Sequence, residues 1–513
     1  MNIKKLRPLG VIYDLPPEQL DEANYSAVTN FTFRQGSAFR VAGYNDGAPD
    51  DLTPGALTDI QYLVGNKRPN NQYYWLYPTA TGVWATDQTN HFNITPLDQS
   101  ASEIGKWTGG ELNGLMMLCN GINAPWYWDG QTGNAMETLP NFPANTTAGW
   151  IRAYKYFAVA GDITSNGTTY DNQIYWSESV DPGLPPQGWS PLPSNDAGDN
   201  ILASTPGTVI DGHQLRDTFV VAKNHSLYLM TFVGGRFVFN FRKLSESTGA
   251  LTTNCMVEHQ GKLFIFSDGD VMVTDGQSIK SIANDRVRER IFLTMNQASY
   301  TVCHAALYSA VDEIWFCYPT GKNEVCDTAA VYDITDDKWG FRELPNTVHT
   351  EQGIVSDKGE VLIWDTDTQE WDDDPARWDE TGLSEIADGL MMATQTKLYA
   401  IGKSESFDGL PVNASIEKLS MDFGSLERQK LFTELWLYAA GTKGDVLTIR
   451  VGVQDHEGDD INWGVNVPFV IGVDDKVNGT LTGRLISVRI EAELDTVWSV
   501  RGFDIMYHDK GRW

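Results

Sequence analysis

The sequence predicts an all-β protein: a β-propeller-like domain joined to an additional β-sandwich or platform domain, with very little helix. Three observations carry this expectation. Short apolar runs end at turn residues, a turn aspartate recurs along the chain, and clean two-residue alternation takes over towards the C-terminus. Composition agrees with it: of 513 residues 41% are hydrophobic, and the 17 Trp, 20 Tyr, 21 Phe and 47 Gly suit aromatic-rich strands and tight turns rather than helices or disorder. The length exceeds the size at which one hydrophobic core usually stops growing, so two or three domains are expected.

In chain order, the apolar runs are YYWLYP (73–78), LMMLCNG (115–121), KYFAVAGD (155–162), DTFVVAKN (217–224), SLYLMTF (226–232), KLFIFSDGD (262–270) and EIWFCYPTG (313–321). Such runs, bounded by Gly, Asp, Asn or Pro, are strand–turn units. The best helical segment is Asn284 to Asn296, where Val287, Ile291, Phe292 and Met295 share one face and Arg286, Arg288 and Arg290 lie elsewhere.

The repeat is an apolar strand ending in Asp at a turn, followed by a second strand. It occurs in GVWATDQTNHF, PWYWDGQTGNAMETLP, VMVTDGQSIKSI, AVYDITDDKWGFRELP and VLIWDTDTQEW, placing Asp87, Asp129, Asp275, Asp333 and Asp365 at successive spacings of 42, 146, 58 and 32 residues. These gaps scatter around the ~40–50 residues of a four-stranded propeller blade, although a large irregular β-sandwich with ordinary hairpins would carry the same turns. The aspartate suits the position because its side chain hydrogen-bonds the backbone of its own turn. Paired with it, Trp126 and Trp128 alternate with Tyr127 and are expected in the core, although a sugar-stacking platform would use the same pattern.

Past the acidic run EWDDDPARWDE (370–380) the chain turns small and polar, then alternates in LFTELWLYAAG, DVLTIRVGVQD and GRLISVRIEAE. Strands with one buried and one wet face make an antiparallel sandwich. The expected division is therefore residues 1–50 as an N-terminal arm and hairpin contributing to a platform, 51–380 as the propeller-like domain, and 381–513 as the C-terminal sandwich.

Charge and cysteines narrow the function. With 38 Lys and Arg against 68 Asp and Glu, the formal charge is −30, which argues against a DNA-gripping surface built on clustered cations. The five cysteines, Cys119, Cys255, Cys303, Cys317 and Cys326, contain no C-x-x-C pair, so neither a disulfide framework nor a zinc site is expected. The N-terminus lacks an apolar signal-peptide core and nowhere do ~18 apolar residues run together, so a soluble protein without Sec export or membrane insertion is expected.

A search for chemistry returns little. The eight histidines have no H-x-x-x-H or H-x-H spacing, and single ones such as His259 and His304 beside apolar strands are expected to be ordinary core or surface groups. No nucleophile elbow, Walker-type loop or G-x-G-x-x-G after a strand is present, and no EF-hand spacing supports calcium. Asp372, Asp373 and Asp374 form a Pro-flanked acidic loop, expected to be solvated, lumenal or interfacial rather than a catalytic acid and base. The expectation is a non-enzyme with no cofactor, no metal and no catalytic residue.

Three stretches together resemble the tail nozzle proteins of short-tailed bacteriophages, also called tail tubular protein B or packaged-DNA stabilisation proteins. The first is the opening, LGVIYDLPPEQLDEANYSAVTNFTFRQGSAFRVAGY, with its Pro-Pro turn and the pattern Asn30, Phe33, Arg34, Gly36, Arg40. The second runs from Ser281 to Leu344, a short charged helix before Asp312-Glu313-Ile314-Trp315, a Tyr-Pro turn and VYDITDDKWGFREL; upstream, IYWSESVDPGLPPQGW (174–189) is similar in shape. The third is the C-terminus, with Gly483-Arg484, Asp495, Trp498 and Gly502-Phe503. The resemblance implies a propeller plus a β-rich platform, assembled as a homohexameric ring below the portal and the tail adaptor, next to tail fibre, spike or needle proteins. It implies a virion protein, made in the host bacterial cytoplasm, whose channel passes genomic DNA without sequence-specific binding and helps to retain and release it. The competing expectation is a carbohydrate-binding or depolymerising propeller such as a tail-spike component.

Overall fold

The computed structural model describes residues 2–7, 10–47, 56–68, 72–235, 237–355 and 387–512. Six of the seven apolar runs read from the sequence have one structural cause, while the run at 226–232 is the third strand of its sheet, Leu227–Phe232. Tyr73–Pro78, Leu115–Cys119, Phe157–Ser165, Thr218–Lys223, Lys262–Ser267 and Glu313–Tyr318 are each the second strand of a four-stranded antiparallel sheet. A second strand has neighbours on both edges, and its two faces pack against the adjacent sheets, so apolar residues on both faces are buried. Glu313–Tyr318 is buried at every position.

Among the described residues, seven such sheets follow one another as propeller blades. The first five are built from consecutive strands within residues 64–93, 108–138, 146–201, 209–245 and 256–281. Blade six comprises His304–Tyr308, Glu313–Tyr318, Cys326–Asp333 and the first half of the 18-residue strand Lys338–Val355, which pairs with blade six up to Thr347. The second half of that strand is the inner edge of blade seven, followed by Ala387–Thr394 and Leu398–Ile401. Tyr44–Asp46, from the N-terminal segment, supplies the outer strand. Blade seven is therefore closed by residues more than 350 positions away, with Tyr44 stacked on Phe407 at 4.7 Å and tilted against Tyr399 at 4.9 Å.

The expected boundary at 380/381 is corrected by this pairing. Ala387–Thr394 and Leu398–Ile401 complete a blade, because the inner strand ending at Val355 needs hydrogen-bonding neighbours, and Val355 faces Ala387 directly. The second unit comprises two sheets sharing a core. One holds Ala27–Thr29, Val412–Met421, Leu485–Leu494, Val446–Gln454, Asn462–Trp463 and Val467–Val470; the other holds Ser37–Arg40, Ser499–Arg512, Arg428–Ala440 and Lys476–Gly483, with Asn2–Leu6 alongside Ser499–Arg512. Ile416, Ile449 and Ile490 from the first sheet and Leu435, Phe503 and Ile505 from the second lie in one cluster. The alternation seen in the sequence is the alternation of this core with a largely half-buried outer face.

The two units are sewn together by the N-terminal hairpin Phe31–Arg34 and Ser37–Arg40, whose two-residue turn puts Gln35 and Gly36 at positive φ, 50° and 71°. Phe31 pairs with Phe341 of blade six, and Phe39 with Ser499 of the sandwich. Asn30 donates to Glu343 Oε2 at 2.8 Å and to the Asn413 carbonyl at 2.7 Å, and accepts from the Glu343 N–H. The helix is shorter than its periodicity predicts, Arg288–Thr294, with Val287, Ile291 and Met295 buried. Its first turn is capped from afar by the Asp14 carboxylate, which accepts from the N–H groups of Arg288 and Glu289 at 3.0 and 2.9 Å. Among the described residues no helix is long and apolar enough to cross a membrane.

Candidate functional site

The recurring turn aspartates fall at one structural position. Asp87, Asp129, Asp275 and Asp333 sit between the third and fourth strands of blades one, two, five and six, each accepting backbone N–H groups of its own turn at 2.6–2.9 Å. The 146-residue gap spans blades three and four, where that connection is instead the long loop between Trp176 and Gly198 and the Gly234-Gly235 turn. Asp365, and the acidic loop Asp372, Asp373 and Asp374, lie outside the described residues, in the segment that joins the first two strands of blade seven.

The inner strands of all seven blades surround a central cavity of about 480 Å3. They all run in the same direction. Where they begin, the cavity is lined by the buried Tyr62 and His349, 3% and 4% exposed. Where they end, Glu111 and Gln214 are exposed and form the mouth. Space near the axis is short: a Cβ on Gly353 would lie 1.9 Å from the Tyr73 hydroxyl and 2.8 Å from the Trp75 ring, and one on Gly110 would lie 2.9 Å from the Ala153 nitrogen. Glycine at both positions permits the close approach.

Arg152 spans the floor. Its Nε and Nη2 donate to the two Asp211 carboxylate oxygens at 2.9 and 2.8 Å, its Nη1 donates to the Gly109 carbonyl at 2.6 Å, and Nη2 also donates to Asn254 Oδ1 at 2.7 Å. Asp211 accepts in addition from the Gly212 and Asn254 N–H groups at 2.8 Å. One guanidinium thus ties blades two, three and four to the entry of blade five, a bidentate geometry only arginine offers.

The remaining polar groups of the cavity are less well matched. The His349 ring meets the Leu63 backbone outside strict hydrogen-bond geometry, which leaves both ring nitrogens poorly satisfied; burial, then the nearby His304 and Arg152, hold its pKa well below the ordinary imidazole value, opposed by the Leu63 contact. It stacks on His304 at 4.8 Å and packs against Tyr62 at 4.4 Å. His304 donates from Nδ1 to the Val302 carbonyl at 3.1 Å, leaves Nε2 unpartnered, and has its pKa lowered by burial to about 4. Glu351, half-buried, makes no hydrogen bond or ion pair among the described residues, and burial raises its pKa to about 7, opposed by Arg152. Burial also raises Glu111, which accepts from the Lys67 N–H at 3.2 Å.

Sequence spacing could not bring His304 and His349 together, because their adjacency is made by neighbouring blades. His259, by contrast, is the ordinary group expected, paired with Asp312 at 3.1 Å. Trp126 and Trp128 are fully buried. All five cysteines are buried free thiols, and burial pushes Cys119 and Cys317 up to about 12, far from the thiolate form. No group of three or more His, Cys, Asp and Glu placed to hold a metal occurs among the described residues.

Pairing among the described residues defines the class of protein: a β-propeller, with seven blades in those residues, carrying a two-sheet β-sandwich. No protein-family model matches the chain, and no curated protein is similar to it in sequence. Solved structures with a similar arrangement include the WD40 β-propeller domain of Doa1, at 10% identity and a TM-score of 0.39, covering 70% of this chain and 96% of that one. The β-propeller domain of Myceliophteria thermophila Cps50 (Swd1) has 9% identity and a TM-score of 0.39, with 69% and 99% covered. A third, YCF48 bound to a D1 peptide, has 11% identity and a TM-score of 0.34, with 68% and 99% covered.

Proposed function

We propose that the chain is a structural, non-catalytic virion protein of a short-tailed bacteriophage, a tail nozzle that assembles with copies of itself as a hexameric ring below the portal and adaptor. The observation that carries this reading is the meeting of the three stretches on which the family resemblance rests. Phe31 of the opening packs edge-on against Trp498 of the closing strands at 4.9 Å, and pairs with Phe341 of the middle block. The Arg40 N–H donates to the Trp498 carbonyl at 3.0 Å. They form the junction between propeller and platform, the two units that the resemblance implies.

The DNA path in such an assembly runs between subunits. A cavity of about 480 Å3 is of small-ligand size, far below the volume of one ~34 Å turn of duplex. Each subunit brings a formal charge of −30, and acidic groups facing the lumen repel phosphate and offer no cationic trap, so the duplex slides. The test is an image of purified virions. The chain is expected as a ring below the adaptor with an acidic lumen; its absence from particles, or a basic lumen with the acids outside, overturns the proposal.

One observation favours the glycan-cleaving alternative: Glu111 and Glu351, both raised by burial, line the same cavity. That reading requires release of reducing sugars from host polysaccharide, abolished by Glu351→Gln; the nozzle reading requires none.

A further inference from the structure

We propose that the central cavity of the propeller binds a small organic cation, a primary ammonium or guanidinium group held by the Glu351 carboxylate, the Gln352 amide oxygen and the His349 ring. The proposal is independent of the nozzle assignment. It rests first on which atoms of the cavity lack partners. His349 is 4% exposed and, beyond a contact with the Leu63 backbone that falls outside strict hydrogen-bond geometry, its ring nitrogens have no partner; Gln352 Oε1 is buried and unpartnered, and the Glu351 carboxyl has neither a hydrogen bond nor an ion pair among the described residues. A neutral imidazole offers one acceptor nitrogen, so the vacant positions are mainly acceptors. Buried polar groups are ordinarily satisfied, and a set left open around a cavity of this size is matched by a ligand that donates.

Charge sets the sign of that ligand. Among the described residues Arg152 is the one Lys or Arg side chain lining the cavity, and it is already committed to Asp211, Asn254 and the Gly109 carbonyl. His213 donates from Nδ1 to the Gln214 carbonyl, and burial lowers its pKa, which keeps it neutral. The uncompensated groups are then Glu351 within and Glu111 at the mouth, and an anion would meet no free cation. A metal ion is disfavoured by the same residues, since no group of three metal-type ligands converges among the described residues. Tyr62, packed on the His349 ring, gives an aromatic wall of the kind that favours organic cations.

The group can arrive on a free amine or on a Lys or Arg side chain of another polypeptide, and titration calorimetry separates the two. The full chain is titrated with n-butylammonium, with ethylguanidinium, with the blocked peptide acetyl-Gly-Arg-Gly-amide and with n-butanol as the uncharged control. Saturable one-to-one binding of any cation, with none of n-butanol, is expected; binding of the peptide alone supports the site and assigns its source to a protein segment. Glu351→Gln, nearly isosteric, should weaken binding about tenfold or more, and Gln352→Leu should weaken it while leaving Glu351 in place. The charged and titratable groups lining the cavity with Glu351 are Tyr62, Glu111, Arg152, His213 and His349; burial raises Glu351 to about 7 and raises Glu111 as well. Affinity should therefore fall as pH drops below about 7, up to tenfold per unit, with proton release on binding near neutral pH. Absence of binding by all three cations, equal binding by n-butanol, or unchanged affinity in folded Glu351→Gln protein overturns the proposal.

Discussion

Arg152 holds separate blades together, because four hydrogen bonds from one guanidinium bridge them. Its replacement by Met leaves Asp211 buried and unpaired, and a loss of about 3–5 kcal/mol is expected, read from urea unfolding; Asp211→Asn added to Arg152→Met should recover part of it. Glu351 acts in the opposite sense. Its folded pKa, about 7, lies above that of an unfolded glutamate, so the folded state binds the extra proton and stability falls as pH rises from about 4.5 to 7. Glu351→Gln removes this dependence. The variant should match the parent at pH 4 and exceed it at pH 8 by on the order of 1–3 kcal/mol, measured as a shift in urea midpoint. At this scale, legibility followed locality. Asp87, Asp129, Asp275 and Asp333 were recognisable because each bonds its own turn, whereas the pairing of His304 with His349 and the saturation of Arg152 are products of blades meeting at an axis.

Among the elements, second strands were the most legible, since burial on both faces writes a continuous apolar run into the sequence. Inner strands were the least legible: they are interrupted by glycines such as Gly109, Gly110, Gly212 and Gly353, where the blades crowd together. Gly353→Ala should cost about 1–3 kcal/mol through overpacking against Tyr73 and Trp75, seen as a lower thermal midpoint. The helix was overextended because helical spacing continues through Val287 and Met295, while Asp14 fixes the first turn at Arg288. Strand sharing explains the displaced domain boundary. Lys338–Val355 serves two blades in succession, so a change in composition near 380 marks a point within blade seven rather than its end. The outer strand of that blade is held through Tyr44, and Tyr44→Ala should cost about 3–5 kcal/mol, the range for deleting a buried aromatic ring, with proteolytic cleavage appearing first around Ala387–Ile401.

For the molecule as a whole, the propeller and sandwich were legible as a class, but the number of blades was not. Loops such as the one between Trp176 and Gly198 stretch the repeat, and the last blade takes a strand from the far end of the chain. The N-terminal segment is divided between both units: Tyr44–Asp46 closes the propeller, Ala27–Thr29 and Ser37–Arg40 edge the two sheets of the sandwich, and Asn2–Leu6 lies against the final strand. That division sets a clock for biosynthesis. At roughly 5–20 residues per second, Tyr44 waits on the order of 20–70 s for Tyr399 to be made, and Asn2–Leu6 waits longer for Phe503 to Tyr507. Throughout that interval these strands are unpaired edges, and protection against premature pairing with other nascent chains falls to whatever holds them in the meantime.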